Sequence, residues 1–411
     1  MTHSNATRTV LKSLPRNVWA VTVTSFLTDI SSEMLIHLLP FFLANVLGAS
    51  TAVIGLIEGL AETTASLLKI FSGWISDRLK ARKWPAVLGY GLSTLAKPFY
   101  LIVNSWGGVL AIRMADRVGK GIRTAPRDAL VADSIAEQHR GLAFGLHRAG
   151  DTAGAMIGTL VAAFILWQSQ DATMLTREIF QRVVWWSIIP AVLAVLALAF
   201  GAREVTLKQK GAPRLTLAGF DRRFYWFLGV IVLFTLGNSS DAFLHLRAQE
   251  RGLGLVQILL MIATFNLVYT LVSAPAGALS DRVGRRRVII IGWAVYGCIY
   301  LGFALTNAAW QLWVLYALYG VYYGFVEGTA KALVADLVPA EQRGAAYGVY
   351  SAAVGIAALP ASAIAGVLWQ SISPAAPFYF GAVMALLAAL LIWRVLARPD
   401  SRQDAKPPRK S

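Results

Sequence analysis

Apolar residues fall in runs of about twenty along this chain, and short polar loops separate the runs. A run of that length crosses the hydrocarbon core of a bilayer as a helix, which satisfies its own backbone hydrogen bonds there. The pattern predicts twelve helices. In the first half they cover residues 17–46, 51–78, 84–104, 106–128, 140–168 and 182–201. In the second half they cover 223–248, 254–280, 287–305, 310–333, 344–370 and 376–397. Between the halves, Gly211, Pro213 and several cations mark a linker over 202–222, and a polar tail follows from 398 to 411. The fold class expected is an all-α membrane protein: twelve transmembrane helices in two pseudo-symmetric six-helix bundles, 1–201 and 223–397.

Composition agrees. The 411 residues are 56% hydrophobic and only 15% charged, whereas a soluble protein carries about a quarter charged residues. The net charge of +16 sits in alternate loops, for example Arg78, Lys80, Arg82 and Lys83, then Arg203, Lys208, Lys210 and Arg214. Loops near Asn45, Asn104, Asn307 and Ser373 carry almost none. This is the positive-inside pattern, which places both termini, the linker and the tail in the cytoplasm and argues against nucleic acid as a partner. The expected location is a plasma membrane of the bacterial inner-membrane type. A lone Cys298 permits no internal disulfide and reads as a small packing residue. The first apolar stretch is too long for a signal core and contains Asp29 and Glu33, so no cleaved leader is expected.

The chain also repeats itself. Ser31, Ser32, Glu33 and His37 read Ser-Ser-Glu-x-x-x-His, and Ser239, Ser240, Asp241 and His245 read Ser-Ser-Asp-x-x-x-His. Residues 129–146 and 332–349 both begin Ala-Leu-Val-Ala-Asp and match at nine of eighteen positions without a gap. Two related halves with ionisable groups at matching places inside apolar stretches point to a carrier whose working site lies between them.

A loop motif carries a family resemblance. Gly277, Asp281, Arg282, Gly284, Arg285, Arg286 and Arg287 resemble the signature Gly-x-x-x-Asp-Arg-x-Gly-Arg-Arg-Lys/Arg of the major facilitator superfamily. The first-half copy keeps Gly73, Asp77, Arg78, Arg82 and Lys83, with Lys80 where that family usually has Gly. The resemblance implies two six-helix bundles and a cytoplasmic latch, in which the loop Asp pairs with cations and helix ends of the opposite bundle. A carboxylate at a helix N-terminus is favoured by the helix dipole. A plainer reading is that these cations only enforce topology. In the fourth helix, Arg113 and Asp116 resemble the Arg and Gln of that family's proton-coupled exporters, with Arg117 in place of the usual Gly. In the fifth, Gly150, Gly154 and Gly158 are similar to its antiporter signature, with Asp151 replacing Pro. Close helix packing is the plainer account of those glycines.

Candidate chemistry follows from the intramembrane charges. Asp29, Glu33 and His37 sit at i, i+4 and i+8 on one helix face, and Glu58 and Glu62 at i, i+4 on the next helix. Burial and like charge favour a protonated carboxyl, and His titrates in the physiological range, so these residues with Asp241 are the expected proton-coupling groups. Lys69, Lys97, Arg113, Arg117, Lys120, Arg123 and Arg148 offer the alternative of a static network with the acids. Lys69, Lys120 and Arg123 read as snorkelling or latch cations near the cytoplasmic end. Expected substrate contacts are Arg113, Arg117, His245, Tyr319, Tyr323 and Glu327, although Glu327 and Lys331 at i, i+4 could pair with each other. The second half is rich in Tyr (Tyr296, Tyr300, Tyr316, Tyr319, Tyr322, Tyr323), and Trp310 and Trp313 read as interface anchors.

The function expected is proton-coupled secondary transport, most readily export of small organic compounds by a monomer whose partners are substrate, protons and lipid. Alternatives are a carrier of metals or inorganic ions, using Glu33, Glu62, His37, Asp241 and His245, and an organic-anion importer using Arg113 and Arg117. No nucleophile elbow, phosphate-cradling loop or strong zinc spacing appears, so neither enzyme nor cofactor is expected.

Overall fold

The computed structural model describes residues 14–135, 140–169, 174–205, 219–338 and 343–395. Among the described residues the structure is helical, with no strand. The first half contains α1 (Arg16–Ile36), α2 (Thr51–Leu79), α3 (Lys83–Ala96), α4 (Trp106–Asp133), α5 (Arg140–Trp167) and α6 (Arg177–Gly201). The second contains α7 (Arg222–Gly237), α8 (Leu255–Val283), α9 (Arg285–Leu305), α10 (Ala309–Asp336), α11 (Arg343–Ser371) and α12 (Ala376–Val395). Nine helices among the described residues are long and apolar enough to cross a membrane. The segments α3, α4 and α10 are not among them. Helix α3 has only 14 residues, α4 carries the densest charge, and α10 spends many positions on Tyr.

Helix ends follow local chemistry. Ser105 caps α4 by accepting the Gly108 N–H at 3.2 Å, and Asp221 caps α7 by accepting the Arg223 N–H at 2.7 Å. Thr176 caps α6, which therefore begins five residues before the expected 182. Pro126 lies inside α4 without ending it, so α4 continues past the expected 128 to Asp133.

The expected unbroken helices 17–46 and 223–248 are both interrupted. Helix α1 stops at Ile36, and the chain resumes as one turn over Leu39–Phe41 and a π-type segment over Phe42–Val46. Pro40 has no N–H to donate to the preceding turn. Helix α7 stops at Gly237, and a short helix, Ala242–Glu250, resumes after the break. Both interruptions fall at the repeated Ser-Ser-acid-x-x-x-His motif, so Asp241 stands in a break and not within a continuous helix. The expected 84–104 helix likewise ends at Ala96 and passes into a 3-10 segment over Lys97–Leu101 that contains Pro98.

The two halves repeat a set of neighbours. Helix α1 packs on α5 and α6, α2 on α4, and α3 on α4 and α6. In the same way α7 packs on α11 and α12, α8 on α10, and α9 on α10 and α12. Helices α2 and α11 join the halves on one side, and α5 and α8 on the other. Glycines allow the closest approaches. A side chain at Gly154 or Gly158 would run into the Phe26 or Ile30 carbonyl of α1, so the packing role of these residues is a direct steric requirement. Across the halves, Gly55 lies against the Ser362 carbonyl and Gly366 against Ala52.

A second repeat is electrostatic. Arg82 Nε meets Asp133 at 3.1 Å, and Arg285 Nη1 meets Asp336 at 2.8 Å. Each Asp closes an Ala-Leu-Val-Ala-Asp segment, and each Arg belongs to the cationic loop of its own half. The second half adds an aromatic core, with Tyr296 stacked on Tyr300 at 4.1 Å and Phe234 on Trp293 at 4.7 Å. Trp310 is exposed, as an interface anchor would be, whereas Trp313 packs against the core. Cys298 is exposed on α9, a correction to its expected packing role.

Candidate functional site

Two cavities meet where the broken motifs face each other. The larger, about 380 Å³, is walled by α2 (Glu58, Glu62), α4 (Arg113, Arg117, Lys120), the two break regions (His37, Asp241, His245), α10 (Tyr323) and α11. The smaller, about 250 Å³, brings Glu33, His37, Asp241, His245, Tyr316 and Tyr319 together. His37, Asp241 and His245 belong to both walls.

The breaks place these side chains. Glu33, on the last turn of α1, meets His37 at 2.8 Å. The His37 ring stands edge-on to His245, with 5.2 Å between centroids, so the two copies of the motif touch across the halves. Asp241 accepts a hydrogen bond from the Tyr319 hydroxyl at 3.0 Å, and Tyr319 lies 3.5 Å from the Tyr323 hydroxyl. His245 Nδ1 and the Tyr316 hydroxyl are buried with no hydrogen-bond partner among the described residues. A polar pocket with unmet donors and acceptors is suited to water or a polar ligand.

On the α4 side, Arg113 donates to Glu58 at 2.7 Å, with both side chains largely buried. Arg117 approaches Asp116 only to 3.6 Å, beyond hydrogen-bonding distance. Lys97 is buried and donates to Ser31, whose hydroxyl in turn donates to the Ser187 carbonyl at 2.5 Å. That lysine is a helix-to-helix tie behind the cavities.

Not every candidate reaches these cavities. Asp29 lines neither of them. Glu327 takes the pairing option, with Lys331 at 2.9 Å and the Tyr269 hydroxyl at 2.6 Å. It lies with Arg148 in a separate cavity of about 730 Å³ between α5, α8 and α10. Lys120, expected near the cytoplasmic end as a snorkelling or latch cation, instead lines the central cavity. Arg117 and Lys120 follow Arg113 by four and seven positions, which puts all three on one face of α4. Arg123 is buried, donating to Ser93 at 2.6 Å with its guanidinium 4.5 Å from the Tyr90 ring. Of the latch residues, the side chains of Asp77, Asp281 and Arg282, and the surroundings of Gly73 and Gly277, lie outside what the structure describes. Gly284 adopts φ +97°, a conformation that favours glycine. Arg286 donates to the Trp393 carbonyl.

Sequence reasoning passed over a second polar cluster. The Ser25 hydroxyl is 2.8 Å from His147 Nε2 and 3.2 Å from the Tyr90 hydroxyl. Arg127 reaches Ser25 at 3.4 Å, and Asp151 lies 3.7 Å from His147. The i, i+4 spacing of His147 and Asp151 was a readable signal; the convergence of α1, α3 and α4 on them was not.

The fold agrees with that of known relatives. The family model of the Major Facilitator Superfamily matches residues 21–254 and 226–411. An uncharacterized MFS-type transporter of Methanocaldococcus jannaschii is 36% identical over 395 residues, covering 93% of this chain and 95% of the relative. The multi-drug resistance efflux pump PmrA of Streptococcus pneumoniae is 23% identical over 327 residues, 77% of this chain and 79% of the pump. Among solved structures, the nucleoside transporter NupG superposes with a TM-score of 0.72 at 13% identity, covering 93% of this chain and 98% of NupG. That last likeness is one of fold. These relatives are transporters and not enzymes, and this chain belongs to the major facilitator superfamily.

Proposed function

We propose that this protein is a proton-coupled secondary transporter that exports small organic compounds by alternating access. In this reading all twelve helices cross the membrane, as two six-helix bundles over 1–201 and 223–397. The linker 202–222, the tail 398–411 and both termini face the cytoplasm of a bacterial-type inner membrane. The charges of α4 and the tyrosines of α10 are tolerated at membrane depth because neighbouring helices cover them. The loops around Asp77 and Asp281 act as the cytoplasmic latch. No second copy of the chain is needed for the site.

The observation that carries the proposal is the pair of cavities shared by the two halves. There Glu33–His37 of one half faces His245 and Asp241–Tyr319 of the other. Carboxyls held by a neighbouring His or Tyr hydroxyl, in a pocket that also borders the substrate-sized cavity, can exchange a proton as the halves rock. Likeness to the pneumococcal efflux pump supports export. The metal reading is not favoured, since no three His, Cys, Asp or Glu side chains converge as a metal site among the described residues.

The test uses proteoliposomes that trap a pH indicator with an acid interior. Addition of a panel of drug-like and organic-acid compounds should release internal protons for at least one compound, and Glu33→Gln should abolish that release. Unchanged release in Glu33→Gln, or none with any compound in the wild type, discards proton coupling through this site.

A further inference from the structure

The three cations on the α4 wall of the central cavity are not equivalent. Arg113 is neutralised by Glu58 at 2.7 Å. Arg117 is only 6% exposed, yet its Nε has no hydrogen-bond partner and its nearest carboxylate, on Asp116, stands at 3.6 Å. Among the described residues, Lys120 also lines the cavity, and its ammonium makes no hydrogen bond or ion pair. Of the carboxylates on the same wall, Glu58 is committed to Arg113 and accepts from it, Asp241 accepts from Tyr319, and Glu62 makes no ion pair with Arg117 or Lys120. A buried guanidinium Nε without a hydrogen-bond acceptor is costly, and a ligand with two coplanar oxygens can meet Nε and Nη donors as a fork. The rest of the wall includes Ile36, Pro40, Val354 and Ala358, which suit an apolar body more than a bare inorganic ion. A volume of about 380 Å³ is within the range of small-molecule sites.

We propose that the transported compound is a small organic anion, its carboxylate held by Arg117 and Lys120 and its apolar body against α1 and α11. This rests on the carrier reading of the same cavity and narrows it to a substrate class.

The test is equilibrium binding, with no pH gradient imposed. Thermal unfolding of the purified full chain is followed with benzoate and phthalate, and with benzamide and phthalamide as uncharged counterparts. The carboxylates should raise the unfolding midpoint and the amides should not. Arg117→Gln and Lys120→Gln should each weaken the carboxylates by about tenfold or more, the loss of one charge-assisted hydrogen bond. Arg117→Lys, which keeps the charge without the fork, should fall between. Arg182→Gln, an exposed cation away from the cavity, should bind as the wild type does. Should Arg117→Gln fail to unfold cooperatively, displacement of radiolabelled phthalate from the wild type by benzoate but not benzamide decides the matter. Stabilisation by neither carboxylate, equal stabilisation by the amides, or full affinity in both Gln variants overturns the proposal. Failure here with proton release intact removes the anion and leaves the proton-coupled carrier; anion binding without proton release keeps the anion and removes the proton coupling.

Discussion

At the scale of single residues, the site is a set of charges that differ in how far they are satisfied. Arg113 and Glu58 form a tight, largely buried pair at 2.7 Å. Breaking one partner of such a pair leaves an uncompensated charge, at a cost of about 3–5 kcal/mol, while removing both costs far less. Arg113→Gln is therefore expected to lower the unfolding midpoint strongly, and the double variant with Glu58→Gln to recover most of the loss; a double-mutant cycle of thermal unfolding measures this. Tyr319→Phe removes the hydroxyl that donates to Asp241 at 3.0 Å. The expected effect on stability is about 1 kcal/mol, with a clear fall in proton-linked transport, measured by comparing unfolding with vesicle flux. What the sequence made readable at this scale was the repeated Ser-Ser-acid-x-x-x-His motif and the single face shared by Glu33 and His37. The Ser31 contact with Lys97, and the open donors of Arg117, depend on which helices meet and could not be read from spacing.

At the scale of elements, the helices were legible and their interruptions less so. Apolar runs located the nine helices that are long and apolar enough to cross a membrane, because a twenty-residue stretch has one cheap solution in lipid. The break after Ile36 was hidden because Leu38, Leu39 and Phe41 carry apolarity through it, whereas the polar run Asn238, Ser239, Ser240 and Asp241 marks the break after Gly237. Pro40 marked the first, but Pro126 sits inside α4 without a break, so proline alone does not decide. The α5 glycines give a sharp contrast. Gly154 faces the Phe26 carbonyl, so Gly154→Ala should push α5 off α1 and destabilise by roughly 1–3 kcal/mol. In α3, a Cβ at Gly91 would meet nothing within 4 Å, so Gly91→Ala should be neutral or gain up to about 1 kcal/mol from helix propensity. Thermal unfolding of the two variants side by side checks this. The loop after α2 offers the converse case. Lys80 holds φ +51°, which costs a residue with a Cβ about 1 kcal/mol or more. Lys80→Gly should raise the unfolding midpoint, and an unchanged or lower midpoint would show that the turn is not strained.

For the whole molecule, the central idea is that one cavity between two similar halves is reached from each side of the membrane in turn. The internal repeat of the sequence has a counterpart in contacts, in the twin Arg82–Asp133 and Arg285–Asp336 pairs. Which walls would close on the cavity was not readable, since the α2–α11 and α5–α8 contacts join segments far apart in the chain. The most direct measurement places a single cysteine at Ala358, on the cavity wall, in a Cys298→Ala background. Its reaction with a membrane-impermeant thiol reagent is timed in right-side-out and inside-out vesicles at two external pH values. The expected result is labelling from both faces, with an inside-to-outside ratio that changes with pH in the wild-type background and not with Glu33→Gln. Labelling from one face alone, or a ratio indifferent to pH, would contradict the account.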